Sequence, residues 1–187
     1  MHALVVGGTG MLSGAVLYLI SKGFTVSVVA RHTKSFERLL KLSGNLSSMI
    51  NVIKVDYTDT MLLIQKLENA INKYGAYTLA VSWIHSSAPE AVFKIAELLE
   101  SKFTKCRFFD LLGSSASDPL NEINLRDEKF SKYKNIAYRR IILGYKADNG
   151  SSRWLTNDEI SEGVINAIIQ DKETYVVGTV EPWSARP

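Results

Sequence analysis

Short continuous apolar runs alternate along this chain with stretches whose apolar residues recur at helical spacing. Ala3, Leu4, Val5 and Val6 follow one another without a polar residue, the pattern of a strand buried on both faces. Residues 15–21 then read as helix, and residues 24–30 alternate and are rich in β-branched types, which predicts a second strand. Further along, the pattern predicts a short helix over 36–42, a strand over 50–55 and an amphipathic helix over 59–73 with Leu62, Leu63, Leu67 and Ile71 on its apolar stripe. A fourth strand is expected over 77–84. Pro89 suits the first turn of a helix running to about Lys102, with Ser86 or Ser87 as candidate caps. Strands are expected over 106–112 and 136–143, and Thr156 with Glu159 forms a capping box opening a helix to about Gln170. A last short strand covers 174–177, and the polar stretch 148–152 reads as a loop. Strand and helix alternating in this way predict an α/β fold: a single doubly wound (Rossmann) parallel sheet of about six to seven strands with helices on both faces. With no internal repeat or low-complexity segment, one domain over 1–187 is expected.

Between the first strand and the first helix lies Gly7-Gly8-Thr9-Gly10-Met11-Leu12-Ser13-Gly14. Strand, glycine turn and helix N-terminus in that order make a pocket for a pyrophosphate, because backbone N–H groups and the helix dipole point at the anion. Gly7 permits the sharp exit from the strand, and Gly10 lets backbone approach phosphate with no Cβ in the way. The expected dinucleotide contacts are Gly7, Thr9, Gly10, Met11 and Leu12; the alternative is a tight turn in an α/β core. The third glycine position holds Ser13, with Gly14 one place later, so close packing of helix on strand either tolerates a small hydroxyl or uses Gly14 in a shifted register. Arg31 ends the second strand, where an acidic residue would bind a ribose 2′-OH and an arginine suits a 2′-phosphate. With Thr33, Lys34 and Ser35 nearby, NADP(H) is favoured over NAD(H), the alternative being that Arg31 is an ordinary exposed charge.

The run from Val5 to Leu12 resembles the cofactor turn of the short-chain dehydrogenase/reductase superfamily, in its extended or atypical branches. Val55-Asp56-Tyr57-Thr58-Asp59 is similar to the family's Asp-containing segment at the adenine, which implies cofactor contacts for Asp56 and Tyr57. Residues 153–160 resemble the segment before a late helix, so the resemblance spans most of the chain, although the first motif alone is specific. By position, Ser114 or Ser115 aligns with the family's catalytic serine, which hydrogen-bonds a substrate carbonyl; serine after glycine is also a routine loop choice.

The departure from the family is as informative as the match. Its better-known members carry a tyrosine with a lysine four residues on, so that one helical turn brings the ammonium near the phenol and lowers its pKa. No tyrosine here has a lysine at that spacing: Tyr138 has Ile142, and Lys129 and Tyr133 stand in reversed order. The region 118–135 is too short for a long catalytic helix and its connections. His85, after the fourth strand, is the remaining acid/base candidate, since an imidazole has an ordinary pKa near 6.5. A structural histidine at a strand end is the competing reading. Trp83, Trp154 and Trp183 are candidates to line a pocket for an apolar or planar substrate, or are core or lid residues, and the tail 181–187 is placed to fold over that site.

Composition narrows the function classes. At 187 residues, with 46% hydrophobic residues and a net charge of +3, the chain has one substantial core and no case for nucleic-acid binding. Cys106, the single cysteine, excludes an internal disulfide and a cysteine-built metal site, and no metal is expected. No apolar run reaches the roughly 18 residues of a membrane span, and a strand beginning at residue 2 leaves no room for a signal peptide. The expectation is a cytoplasmic NADP(H)-binding oxidoreductase acting on a small carbonyl or quinone-like acceptor, with Ser114 and His85 as its chemistry. The alternative is a non-catalytic NADP(H)-binding redox sensor or regulatory protein. A symmetric homodimer is compatible with the fold.

Overall fold

The structure, a computed structural model, describes residues 1–117, 123–148 and 151–187. Strands β1 (His2–Val6), β2 (Thr25–Ala30), β3 (Ile50–Lys54), β4 (Tyr77–Ser82), β5 (Cys106–Gly113) and β6 (Ile136–Leu143) alternate with helices α1 (Ser13–Ser21), α2 (Thr33–Ser43), α3 (Thr60–Tyr74), α4 (Pro89–Glu100) and α5 (Ile123–Ser131). A hairpin of β7 (Tyr145–Asp148) and β8 (Ser151–Trp154) precedes α6 (Asn157–Gln170) and the last strand, β9 (Thr174–Val177). The main sheet has seven strands in the order β3-β2-β1-β4-β5-β6-β9, all neighbours parallel, as the doubly wound expectation required.

The two faces of that sheet are written in β1 itself. Ala3 and Val5 join a cluster with residues of α1, α2 and α6, including Val16, Phe36, Leu39 and Val164. Leu4 and Val6 join the opposite cluster with residues of α3, α4 and α5, including Leu63, Val92, Ile95 and Phe130. A strand covered on both sides has no polar face, which is why the run carries no alternation. Each large side chain fully buried in this way contributes about 1.5–3 kcal/mol. Because the chain starts in the middle of the sheet and winds outward in both directions, the strand order reverses between β1 and β4. The crevice beyond their carboxyl ends is where ligands bind in such sheets.

Several local expectations are corrected. Neither Ser86 nor Ser87 caps α4: the cap position is Ala88, with no side-chain hydrogen bond, and Pro89 at the first turn removes one donor that would have needed a partner. The fourth strand ends at Ser82, short of residue 84, where Trp83 turns away. Among the described residues of 118–135 there is a helix of 9 residues, α5, consistent with the expectation that the region is too short for a long catalytic helix. The predicted loop over 148–152 is flanked by an antiparallel hairpin in which Tyr145 pairs with Trp154 and Lys146 with Arg153; residues 149 and 150 themselves lie outside the described residues.

Candidate functional site

The glycine turn leaves β1 at Gly7, whose φ of 82° is in the left-handed region and whose N–H donates to the Val29 carbonyl at 2.9 Å. Close packing falls to Gly8: a Cβ there would stand 2.8 Å from Val28 Cγ1 and 3.0 Å from methyls of Val5 and Val16. The reading that Gly14 serves the packing of helix on strand is therefore corrected. Gly14 instead faces α6, where a Cβ would come within 2.8 Å of Ser161 Cβ. The Gly14 N–H donates to Ser161 Oγ at 3.1 Å, and that hydroxyl donates to the Met11 carbonyl at 2.7 Å, which fastens the turn to α6. Gly10 is exposed, and a Cβ placed on it would meet nothing within 4 Å, so the approach over its backbone is open. Thr9 and Met11 are half-buried, while Leu12 is fully buried in the core. The cap position of α1 is Leu12, whose apolar side chain cannot cap, so Ser161 of α6 takes the Gly14 N–H instead, and the first turn carries no acidic residue. A helix N-terminus with no acidic residue in its first turn, beside a glycine whose backbone is open to approach, suits an anion such as a pyrophosphate, and the residues present fit that group.

The adjacent rim is polar. Arg31, at the end of β2, lies 3.6 Å from Asp56 Oδ2, with both side chains about half exposed. Asp56 accepts from the Thr58 N–H at 3.0 Å and from its hydroxyl at 2.9 Å, and these bonds, the backbone one foremost, hold its carboxyl below the usual range. Tyr57 packs against the core, and its hydroxyl oxygen accepts from the His85 N–H at 3.4 Å. The structure thus brings Arg31, Asp56, Tyr57 and His85 onto one edge. His85 is exposed, with Nδ1 3.4 Å from Ser86 Oγ.

Beside this edge a cavity of about 290 Å³ opens between the ends of β4, β5 and β6, the hairpin and α6. Trp83, Leu143, Trp154 and Leu155 supply apolar walls, Gly113 and Gly144 supply bare backbone, and Ser114, Ser115 and Arg186 supply polar groups. Ser114 is buried, at 6% exposure, directly after β5. Trp83 joins cavity to turn: its N–H donates to the Val6 carbonyl at 3.2 Å, and its own carbonyl oxygen would be 3.3 Å from a Cβ on Gly7. Among the described residues His85 is not part of the cavity wall.

The tail folds over the site, as the sequence led one to expect. Tyr145 and Thr179 exchange backbone hydrogen bonds, both 2.9 Å, and the buried Tyr145 hydroxyl donates to the Pro182 carbonyl at 2.5 Å. Trp154 lines the cavity with Trp83, whereas Trp183 serves as a platform for Arg186, whose guanidinium carbon is 4.8 Å from its ring centroid.

The tyrosines that were weighed for proton transfer sit elsewhere. Tyr133 is buried among α4 and α5 residues, and the Lys129 ammonium lies 4.4 Å from the Phe93 ring, so the pair forms no relay at the cavity. The Tyr138 hydroxyl donates to Asp110 at 3.0 Å, and burial, reinforced by that carboxylate, pushes its pKa far above ordinary. Asp110 is also ion-paired with Arg126; burial raises its carboxyl and the guanidinium opposes the rise. This buried cluster on the α5 face had no sequence signal, because Asp110 lies within an apolar strand and its partners come 16 and 28 residues later. The Cys106 thiol is buried and pushed up to about 12, which makes it a packing residue. Among the described residues no group of three or more His, Cys, Asp or Glu side chains could hold a metal ion.

No protein family model and no curated protein matches the chain. Solved structures do. A short-chain dehydrogenase/reductase variant from Serratia marcescens superposes with a TM-score of 0.71 at 14% identity, over 95% of this chain and 96% of that one. A short-chain dehydrogenase/reductase of the glucose/ribitol dehydrogenase type from Brucella melitensis gives 0.73 at 10% identity, over 95% and 94%. A variant of actinorhodin polyketide ketoreductase, solved with NADPH, gives 0.70 at 11% identity over 95% of each chain. The likeness is one of fold: over 95% of its length this chain superposes on the short-chain dehydrogenase/reductase fold.

Proposed function

We propose that this chain, built on the short-chain dehydrogenase/reductase fold, is an NADP(H)-binding oxidoreductase acting on a small carbonyl or quinone-like acceptor. The observation that carries the reading is the place of Trp83, which touches the glycine turn with its backbone and walls the cavity with its side chain. A dinucleotide on the turn and a small molecule in the cavity are then neighbours.

In this reading the backbone of Gly7, Thr9, Gly10, Met11 and Leu12 receives the pyrophosphate at the α1 N-terminus. Arg31 takes the ribose 2′-phosphate, for which its fork of N–H donors is suited. Asp56 and Tyr57 bound the adenine side. Bound NADPH supplies the hydride. Ser114, buried at the cavity wall, hydrogen-bonds the acceptor's carbonyl oxygen and so orients it, while the tryptophan and leucine walls offer apolar surface to the rest of the acceptor. His85 on the rim is assigned proton exchange with solvent. The test is NADPH oxidation across a panel of carbonyl compounds and quinones. Turnover that falls at least tenfold in Ser114→Ala supports the assignment, and turnover unchanged in both Ser114→Ala and His85→Ala refutes the catalytic residues.

A specific observation favours a second reading, a cofactor-binding sensor or regulator without turnover. Among its described wall residues the cavity has hydroxyls and one guanidinium, and neither carboxylate, imidazole, phenol nor ammonium. Tight NADPH binding with no oxidation of NADPH across the panel would select it.

A further inference from the structure

Arg186 is the one cationic side chain among the described residues of the cavity wall, and the way it is held is unusual for a tail residue. Its guanidinium carbon lies 5.5 Å from the Trp154 ring centroid and 4.8 Å from that of Trp183. Two indoles hold the charge in place by cation–π attraction, and they offer it no hydrogen-bond acceptor fork, so its N–H donors remain available. Among the described residues no carboxylate lies within ion-pair distance of it. The segment carrying it is tied down independently: Tyr145 grips the carbonyl of Pro182, and the Thr179 hydroxyl donates to the Glu181 carbonyl at 2.9 Å. Gly144 is also required here, because a Cβ on it would stand 2.0 Å from the Thr179 carbonyl oxygen.

We infer that the cavity recognises small aromatic or branched apolar carbonyl compounds that carry a carboxylate, with Arg186 as the carboxylate's partner and the residue that sets this specificity. The inference rests on the oxidoreductase reading for its carbonyl and adds the rest of the substrate class. A planar guanidinium meets a carboxylate with two parallel hydrogen bonds, and Arg186 is exposed, so a ligand's carboxylate can reach it. Trp83, Trp154, Leu143 and Leu155 offer flat and apolar surface to the ligand body, and 290 Å³ is at the small end of ligand pockets, room for about one ring with its substituents. The buried hydroxyl of Ser114, on the same wall set, addresses the carbonyl.

The experiment compares benzoylformate with its uncharged methyl ester by calorimetric titration, with and without saturating NADP⁺, on the wild-type protein, Arg186→Gln and Arg186→Lys. The acid should bind the wild type at least about tenfold more tightly than the ester, the scale expected of a charge-assisted pair. Arg186→Gln should erase that advantage while leaving the ester and NADPH affinities unchanged, and Arg186→Lys should recover part of it, since it keeps the charge and loses the fork. Equal binding of acid and ester, no binding of either, or an advantage that survives in Arg186→Gln overturns the inference. Failure of NADPH to bind would sink the oxidoreductase reading instead, and the acid-to-ester ratio without cofactor would still score the Arg186 subsite.

Discussion

An exposed ion pair such as Arg31–Asp56 is worth about 0–1 kcal/mol, so Arg31 has little to do for stability and its position at the rim is free to serve a ligand. Arg31→Ala should therefore leave the melting temperature nearly unchanged, weaken NADPH at least about tenfold and alter NADH affinity by less than about twofold, as isothermal titration can measure. Equal losses for both would remove the 2′-phosphate assignment. A second residue-scale prediction concerns His2, buried in β1 at the far end of the sheet, with Nδ1 2.7 Å from the Gly75 carbonyl and Nε2 2.8 Å from Ser27 Oγ. Burial lowers its pKa, against the raising effect of the Gly75 carbonyl. The unfolded chain then takes up the proton more readily than the folded one. The contribution is fully present above the unfolded value of about 6.5 and is lost as pH falls below it. The wild type should lose more melting temperature between pH 7.5 and 5.5 than His2→Gln does, and identical losses would contradict this. The glycines and Arg31 were legible as candidates from motif spacing, and Asp56 from the family resemblance. Arg186 was not, because its role depends on two indoles that only the fold brings together.

At the scale of elements, the capping box at α6 was readable in full and is present in full. Thr156 Oγ1 accepts from the Glu159 N–H at 3.3 Å, and Glu159 accepts from the Thr156 N–H at 2.8 Å. Arg153 adds a fork of two bonds to Glu159, 2.9 and 2.8 Å, and with the Thr156 N–H holds that carboxyl far below its usual range. Thr156→Ala should cost about 1 kcal/mol, a fall of about 2–4 °C in Tm by calorimetry. No change in Tm would mean that the helix start is held by Arg153 and packing alone. The α4 caps misled because Pro89 makes a side-chain cap dispensable. The hairpin β7–β8 escaped notice because its strands are only 4 residues each and Tyr145, Ala147 and Trp154 are too few to mark an alternating face beside the polar run 148–153. The packing role of Gly8 was hidden for a different reason, since the motif template looks for a glycine at the third position and this chain spends its second.

At the scale of the molecule, the alternation of strand and helix was enough to predict a doubly wound parallel sheet, whereas the strand order, with its reversal between β1 and β4, became visible only in the fold. The tail was expected over the site, but the bonds that hold it there were not in the pattern: Tyr145 pairs with Thr179 and reaches the Pro182 carbonyl 37 residues on. Among the described residues no helix is long and apolar enough to cross a membrane. Tyr133 and Tyr138, the two tyrosines with a lysine or a helical-turn partner to consider, belong to the buried α5 face and not to the cavity. The whole account therefore hangs on the cofactor cradle. The most direct measurement is a calorimetric titration of the folded protein and of Gly10→Val with NADPH and with NADH. The account predicts tight binding with a preference for NADPH and its loss in Gly10→Val, where a branched side chain occupies the open approach over the turn. Binding of neither nucleotide, or equal affinity in a folded Gly10→Val variant, would contradict it.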